Sequence, residues 1–182
     1  LPPEDLAEVF SWFSFDREFR YGNRFILPDR LVLARRRIEA QILANVHATI
    51  EARHGTEEAD AIIGEAVSAS AIQQGAEFAD ELGRAPDLKD FADILPNWTA
   101  EGSLEIEPIH ASAERLDFNV TRCRYAEMYR KMGLGRIGHL LSCNRDGDFC
   151  IGYNPAMELT RTQTIMQGAD HCDFRYRMSE KD

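Results

Sequence analysis

Leu116-Asp117-Phe118-Asn119-Val120-Thr121-Arg122-Cys123-Arg124-Tyr125-Ala126-Glu127-Met128-Tyr129-Arg130-Lys131-Met132 holds two periodicities in one run. Leu116, Phe118 and Val120 alternate with polar residues, the pattern of a strand with one buried face. Tyr125, Met128, Tyr129 and Met132 then recur at helical spacing, and Gly133 closes that helix. Strand and helix therefore alternate in this part of the chain. Upstream, Leu104 and Ile106 alternate as a preceding strand. Downstream, Ile137, Leu140 and Leu141 continue as a second short helix. Asp146-Gly147 is a turn signal. Phe149, Ile151 and Tyr153 alternate again. Met157 to Met166 is threonine-rich and reads as a strand. Gln167-Gly168 then turns into a last strand from Cys172 to Arg177.

The first hundred residues carry a different signal. Leu6, Phe10, Trp12, Phe13 and Phe15 crowd a helix-like segment that ends near Tyr21-Gly22-Asn23. Asp29 is an N-cap for the next helix, in which Ile38, Ile42, Val46 and Ile50 recur every four residues with Leu31 and Leu43 beside them. That stripe predicts a buried face running to about Arg53. Gly55 stops the helix, and Thr56 caps a third one with Glu57 and Glu58 in its first turn. Its apolar positions are Ala59, Ile62, Ile63, Ala66, Val67, Ala71, Ile72 and Phe78. Gly64, Ser68, Ser70 and Gly75 make it small-sided and suited to close helix contact. Asp87 to Leu95 is a short helix ended by Pro96.

Segregated helices and turn-linked strands predict an α+β fold. A helical N-terminal half packs against a small antiparallel sheet with two short helices. Residues 1–100 form the helical region and residues 101–182 the α+β region, within one compact domain. At 182 residues such a chain buries a core without disulfide staples.

Composition narrows the function. A net charge of -10 opposes binding to phosphate backbones, so no nucleic-acid partner is expected. The one basic run, Arg35-Arg36-Arg37, reads as a solvated helix face. No apolar stretch approaches the length of a membrane span and no signal peptide is visible, which predicts a cytoplasmic protein with no membrane partner. The aromatic N-terminus must pack on its own subunit or on a neighbour, so a homo-oligomer is expected. No dinucleotide fingerprint, P-loop or GxSxG elbow is present, and no cofactor is expected. No CxxC or HxxxH pair exists, and no metal site is expected.

All four cysteines lie between Cys123 and Cys172. Three of them sit in chemically suggestive company. Cys172 follows His171 and shares one face of the last strand with Phe174 and Tyr176, while Asp173, Arg175 and Arg177 share the other. Cys143 lies near Arg145, a cation that lowers a thiol pKa, and Asp146, a carboxylate that orients a partner. Cys123 lies at a helix start, where the dipole favours thiolate, with Glu127 one turn on. Each has a competing reading as a small buried residue packed in the core, since free cysteine is often buried.

The three segments occur in a recognisable series. They are Phe118-Asn119-Val120-Thr121-Arg122-Cys123-Arg124-Tyr125-Ala126-Glu127, then Gly138-His139-Leu140-Leu141-Ser142-Cys143-Asn144-Arg145-Asp146, then Leu159-Thr160-Arg161-Thr162-Gln163-Thr164-Ile165-Met166 with His171-Cys172-Asp173-Phe174-Arg175. In this order they resemble the L-2-amino-thiazoline-4-carboxylic acid hydrolase family, most densely over residues 115–177. The resemblance implies a hydrolase that opens a small nitrogen heterocycle, a cyclic amidine or isothiourea, to an N-carbamoyl-type product. Water adds to the carbon between sulfur and nitrogen, and the C–S bond breaks.

That chemistry assigns Cys143 or Cys172 as nucleophile or leaving-group acid, Asp146 as general base or orienter, and His171 as an assisting group. Arg161 or Arg175 holds a substrate anion, and Cys123 with Glu127 forms a second tier at the substrate. An alternative is a non-catalytic small-molecule-binding sensor domain, because the same segment also resembles the vinyl-reductase-like binding domains.

Overall fold

A computed structural model of the chain describes residues 32–179. The aromatic N-terminal segment and the Asp29 cap lie outside the described residues. Helix α1 (Val32–His54) and helix α2 (Thr56–Leu82) are joined by Gly55 alone. Its φ of 89° lies in the left-handed region that favours glycine. Thr56 is the first residue of α2 rather than its cap. Its hydroxyl donates back to Glu51 Oε1 of α1 at 2.7 Å.

The buried side of α1 is not the aliphatic stripe. Ile38, Ile42 and Val46 are 59%, 60% and 42% exposed, whereas Arg36, Ala40 and His47 are buried. The polar members of this face are accommodated because partners reach them. Glu39 Oε2 accepts from Arg36 Nη1 at 2.7 Å, and Asp60 Oδ1 lies 2.7 Å from His47 Nε2. Arg136 joins the second cluster, donating to Asp60 Oδ2 at 2.7 Å. Ala40 between them allows close approach. A buried polar group with a partner costs little, and this face has them.

Helix α2 buries Ala59, Ile63, Val67, Ala71 and Gly75, a strict four-residue row. Helix α3 (Leu88–Ile94) begins with a capping box in which Asp87 and Asp90 each accept from the other's backbone N–H. Pro96 ends α3 and opens the one-turn helix α4 (Pro96–Thr99) as its first residue.

Strands β1 (Leu104–Ala111) and β2 (Arg115–Cys123) follow as read from sequence. Helix α5 (Arg124–Lys131) leaves β2 directly, with Cys123 as its N-cap. A π-helical turn (His139–Cys143) then runs without interruption into helix α6 (Asn144–Tyr153). Strands β3 (Met157–Thr160) and β4 (Cys172–Met178) complete an antiparallel sheet of order β1-β2-β4-β3. Pro108 sits in β1, an edge strand, where its missing N–H does no harm. The fold is α+β.

Three expectations fail here. Asp146-Gly147 is not a turn and 149–153 is not a strand; both belong to α6. Phe149, Cys150 and Tyr153 are its buried residues, at helical spacing, while Ile151 is exposed. The run from Met157 to Met166 leaves the sheet after Thr160 and ends in a short 3-10 turn, Ile165–Gln167. Asp173 of β4 holds this departure by accepting from the backbone N–H groups of Thr162 and Gln163 at 3.0 and 2.9 Å.

Helix α6 is seated on α2 through glycines. A Cβ on Gly152 would lie 1.9 Å from the Ile72 carbonyl oxygen, and one on Gly75 would lie 2.2 Å from the Phe149 carbonyl oxygen. The two backbones thus approach more closely than any side chain permits. The inner face of the sheet, carrying Leu116, Phe118, Val120, Cys172, Phe174 and Tyr176, packs with Phe149, Cys150 and Tyr153 of α6 and Phe91 of α3. A second core joins α1 and α2 to α5 and the π-helical turn through Ala40, Ile63, Val67, Tyr125, Tyr129 and Leu141. Among the described residues no helix is long and apolar enough to cross a membrane.

Candidate functional site

A cavity of about 100 Å³ lies between these helices and the inner face of the sheet. An engineered apolar cavity that holds a benzene ring has roughly 150 Å³, so this space is about two-thirds of that. Much of the wall is aromatic: Phe91, Trp98, Phe118, Phe149, Phe174 and Tyr176. Phe118 and Phe174 stack across β2 and β4 at 4.9 Å, and Trp98 meets Phe149 edge-on at 5.3 Å. Polar groups also line it. Cys143, Arg145 and Asp146 come from the π-helical turn and α6, Cys123 from the end of β2, and Cys172 from the start of β4. Arg161 follows β3, Arg36 lies on α1, and Gln74 on α2.

The unbroken helix explains how Cys143 and Asp146 come to the same wall, since residues three apart on a helix share a face. A π-helical turn shifts the face that follows it, and such turns concentrate at functional sites. Alternation does the same for β4, turning Cys172 and Phe174 inward.

Asp146 and Arg161 form the polar centre. Arg161 donates from Nη1 to Asp146 Oδ2 at 2.5 Å and from Nη2 to the Cys143 carbonyl at 2.9 Å. Its guanidinium carbon lies 5.0 Å from the centroid of the Phe174 ring. The Asp146 side chain keeps 37% of its accessible surface, yet burial is the largest influence on its carboxyl and raises it above the ordinary range, with Arg161 opposing. Both facts describe a carboxylate on the wall of a partly open cavity, surrounded by protein yet reachable by a small molecule. Arg161 is held cationic: burial disfavours its charge, but Asp146 outweighs that and raises it.

The thiols are protonated at neutral pH. Burial pushes Cys143 up to about 12, aided by the Asp146 charge, and Arg161 only partly compensates. Burial pushes Cys123 up to about 11, although its sulfur accepts the Ala126 N–H at 3.4 Å as the cap of α5. Cys172 is raised by burial too, against an N–H bond from Ile165 at 3.2 Å. The expectation that Arg145 and the α5 dipole would favour thiolate is therefore corrected, because desolvation outweighs both. Cys150 is a core residue whose thiol donates to the Asp146 carbonyl one turn back.

Of the residues singled out by sequence, Cys123, Cys143, Asp146, Arg161 and Cys172 meet at this cavity. His171, Glu127 and Arg175 do not. His171 precedes β4 and turns away, contacting Asp170 at 2.5 Å and Gln163 at 3.1 Å. Glu127 faces outward and receives Arg122 Nε at 2.8 Å. Arg175 lies on the opposite face of β4 from Cys172 and donates to the Phe118 carbonyl and to Asn119 Oδ1, both at 2.9 Å.

Sequence reasoning missed Arg36, Gln74 and Trp98 as cavity residues. Within the Arg35-Arg36-Arg37 run, Arg36 is only 6% exposed while Arg35 and Arg37 face solvent, which corrects the reading of the run as a solvated face. Its spacing from Ala40 and His47 on one face of α1 was the signal available. Among the described residues no group of three histidine, cysteine, aspartate or glutamate side chains is placed to hold a metal ion.

A family model described as L-2-amino-thiazoline-4-carboxylic acid hydrolase matches residues 35–176. No curated protein matches the chain. Among solved structures, the chain is similar to the phenol-responsive sensory domain of the transcription activator PoxR with phenol. The identity is 11% and the TM-score 0.48, over 85% of this chain and 76% of that one. It is also similar to a trafficking protein particle complex subunit 3 from Naegleria fowleri covalently bound to palmitic acid. There the identity is again 11% and the TM-score 0.49, over 81% of this chain and 96% of that one.

Proposed function

This chain belongs to the L-2-amino-thiazoline-4-carboxylic acid hydrolase family, and on that premise we propose that its cavity opens a small nitrogen heterocycle by hydrolysis, with Asp146 moving the proton. The observation that carries this reading is the Asp146–Arg161 pair, set at 2.5 Å in the wall of an aromatic cavity beside Cys143 and Cys172. Arg161 fixes one carboxylate oxygen, and the other remains to accept a proton from water.

In the proposed step the water oxygen bonds to the ring carbon between sulfur and nitrogen while Asp146 takes its proton. The C–S bond then breaks, the leaving sulfur receives a proton from the Asp146 carboxylic acid, and the second water proton passes from the new oxygen to the former ring nitrogen. The product is an N-carbamoyl-type compound with a free thiol, and ring plus water account for every atom. Burial favours this role, since a carboxylate with a raised pKa is a stronger base toward water than an ordinary one and its acid form persists closer to neutral pH. The neutral thiols of Cys143 and Cys172 are not suited to act as nucleophiles, because the thiolate is the reactive form, and they serve as cavity wall. Arg161 is a positioning residue. His171 lies outside the cavity and has no step.

Turnover of 2-aminothiazoline-4-carboxylate in oxygen-18 water tests the reading. The carbamoyl product is expected to carry one heavy oxygen, and an absence of product in the presence of binding would refute it. One observation favours a second reading, a binding module without turnover: every cavity thiol is raised by desolvation and protonated. Trp98 in the cavity wall provides a fluorescence signal for binding that is independent of chemistry.

A further inference from the structure

Charge at the cavity is unbalanced, and the excess is localised. Arg161 is committed to Asp146. Arg36 is committed to Glu39, which also receives Arg35 Nε at 2.8 Å. Arg145 makes no direct ion pair among the described residues, the charges of Glu39 and Asp146 reaching it only at longer range; its one hydrogen bond runs from Nη2 to the neutral amide oxygen of Gln74 at 2.9 Å. Three cavity guanidinium groups, Arg36, Arg145 and Arg161, therefore face two carboxylates, Glu39 and Asp146. Buried cations are ordinarily paired, and a positive charge left without an anion in a cavity wall is a place for a ligand's anion. Burial and the neighbouring Arg36 charge lower Arg145 to about 10, which fits a guanidinium that lacks its counter-ion.

We propose that Arg145, with Arg36 beside it, is the residue of the cavity that holds the ligand's carboxylate. The ring lies against the aromatic wall and its carboxylate takes the fork of Arg145. A guanidinium suits this because its parallel N–H groups match a carboxylate in two-point geometry. Arg161 and Arg175, the anion-holding residues expected from sequence, do not serve. Arg161 is occupied by Asp146, the Cys143 carbonyl and the Phe174 face, and Arg175 lies outside the cavity. This inference rests on the hydrolase reading and deepens it by naming the residue that holds the substrate's carboxylate, but the binding it describes does not require turnover.

The test uses two matched ligand pairs, 2-aminothiazoline-4-carboxylate with its carboxamide and benzoate with benzamide. They are titrated against wild type, Arg145→Gln, Arg145→Lys and Arg36→Gln by calorimetry and Trp98 fluorescence. Wild type is expected to bind at least one carboxylate about tenfold or more tighter than its amide. Arg145→Gln should reduce that preference to less than about threefold, Arg36→Gln should weaken it, and Arg145→Lys should retain part of it. Thermal unfolding without ligand separates a binding arginine from a structural one. Relief of an unpaired buried charge should leave Arg145→Gln at least as stable as wild type.

A wild type with no carboxylate preference in either pair, including one that binds none of the four ligands, overturns the proposal. So does a preference that survives in Arg145→Gln, or an Arg145→Gln protein that unfolds well below wild type. Ring opening without carboxylate preference would sink the subsite and leave the hydrolase standing. A preference lost in Arg145→Gln with no ring opened would do the reverse.

Discussion

Gly152→Ala tests the packing that positions the site. The added Cβ would sit 1.9 Å from the Ile72 carbonyl oxygen, 2.8 Å from the Ile72 carbonyl carbon and 2.9 Å from the Ala76 nitrogen, all of them backbone. Real Cβ contacts do not fall below 3.0 Å. Relieving the oxygen contact alone therefore moves α6 off α2 by about 1.1 Å. No side chain can rotate away, so the strain reaches the upper end of overpacking costs, about 3 kcal/mol. For a protein of this size that lowers the melting temperature by about 6–12 °C. Gly147, on the same helix, is the control. A Cβ there meets nothing within 4 Å, so Gly147→Ala should gain about 0.5–1 kcal/mol from helix propensity. Thermal and urea unfolding of both variants, with equal slopes in urea, reads the contrast. Because α6 also carries Arg145 and Asp146, surviving Gly152→Ala protein should bind and turn over poorly. A Gly152→Ala variant as stable as Gly147→Ala would refute the close α2–α6 contact.

Other outcomes follow from the electrostatics. Asp146 must be ionised to accept a proton and its pKa is raised by burial, so kcat/KM should climb with pH along a limb lying above the ordinary aspartate value of about 3.9; a limb at or below that value contradicts the assignment. Cys143, at about 12, carries roughly a thousandfold less thiolate at neutral pH than an ordinary cysteine, so iodoacetamide should label it slowly in the native state and rapidly after unfolding. Fast native labelling traced to Cys143 by peptide mapping would count against the buried thiol. On the outer face of the sheet, Asp117 is paired with Arg115 at 2.6 Å and with Arg177. Burial raises its carboxyl, but the two arginines outweigh this and hold it below the usual range. That stability is present above about pH 4 and is lost as pH falls through the depressed native value. Asp117→Asn should cost about 1 kcal/mol at pH 7, a small figure because both arginines are half exposed and screened, and the gap to wild type should close in acid. A gap that persists unchanged at pH 2 would place the cost in packing instead.

The sheet was readable because β2 and β4 each turn their apolar residues to one face, with Asp117 the buried polar residue on the other. Leu116, Phe118 and Val120 and then Cys172, Phe174 and Tyr176 keep the two-residue period without interruption. Helix α6 was not readable. Phe149, Ile151 and Tyr153 alternate by coincidence, and Gly147 and Gly152 resemble strand and turn breakers. The reason for Gly152 is the backbone of α2, which lies far away in sequence. The face of α1 was misassigned for a related reason. Ile38, Ile42 and Val46 form the better stripe by composition, but Asp60 and Arg136 make the polar face around His47 buriable. At the site, the three cysteine segments do bring Cys123, Cys143 and Cys172 to one cavity with Asp146 and Arg161. Local sequence showed Cys143 near a cation and Cys123 at a helix start, both of which favour thiolate. It carried no measure of burial, which outweighs them.

The central claim is that Asp146, held by Arg161, moves the proton in a ring-opening hydrolysis. Each ring opened releases one thiol, so the decisive measurement is thiol release from 2-aminothiazoline-4-carboxylate by wild type and Asp146→Asn at matched concentrations. Binding of the same ligand is followed in parallel by Trp98 fluorescence. The expected result is one thiol per ring consumed by wild type, and a loss of about 10²–10⁴-fold in Asp146→Asn with ligand still bound. Thiol release by Asp146→Asn at the wild-type rate, or a wild type that binds the ring and releases none, would contradict it.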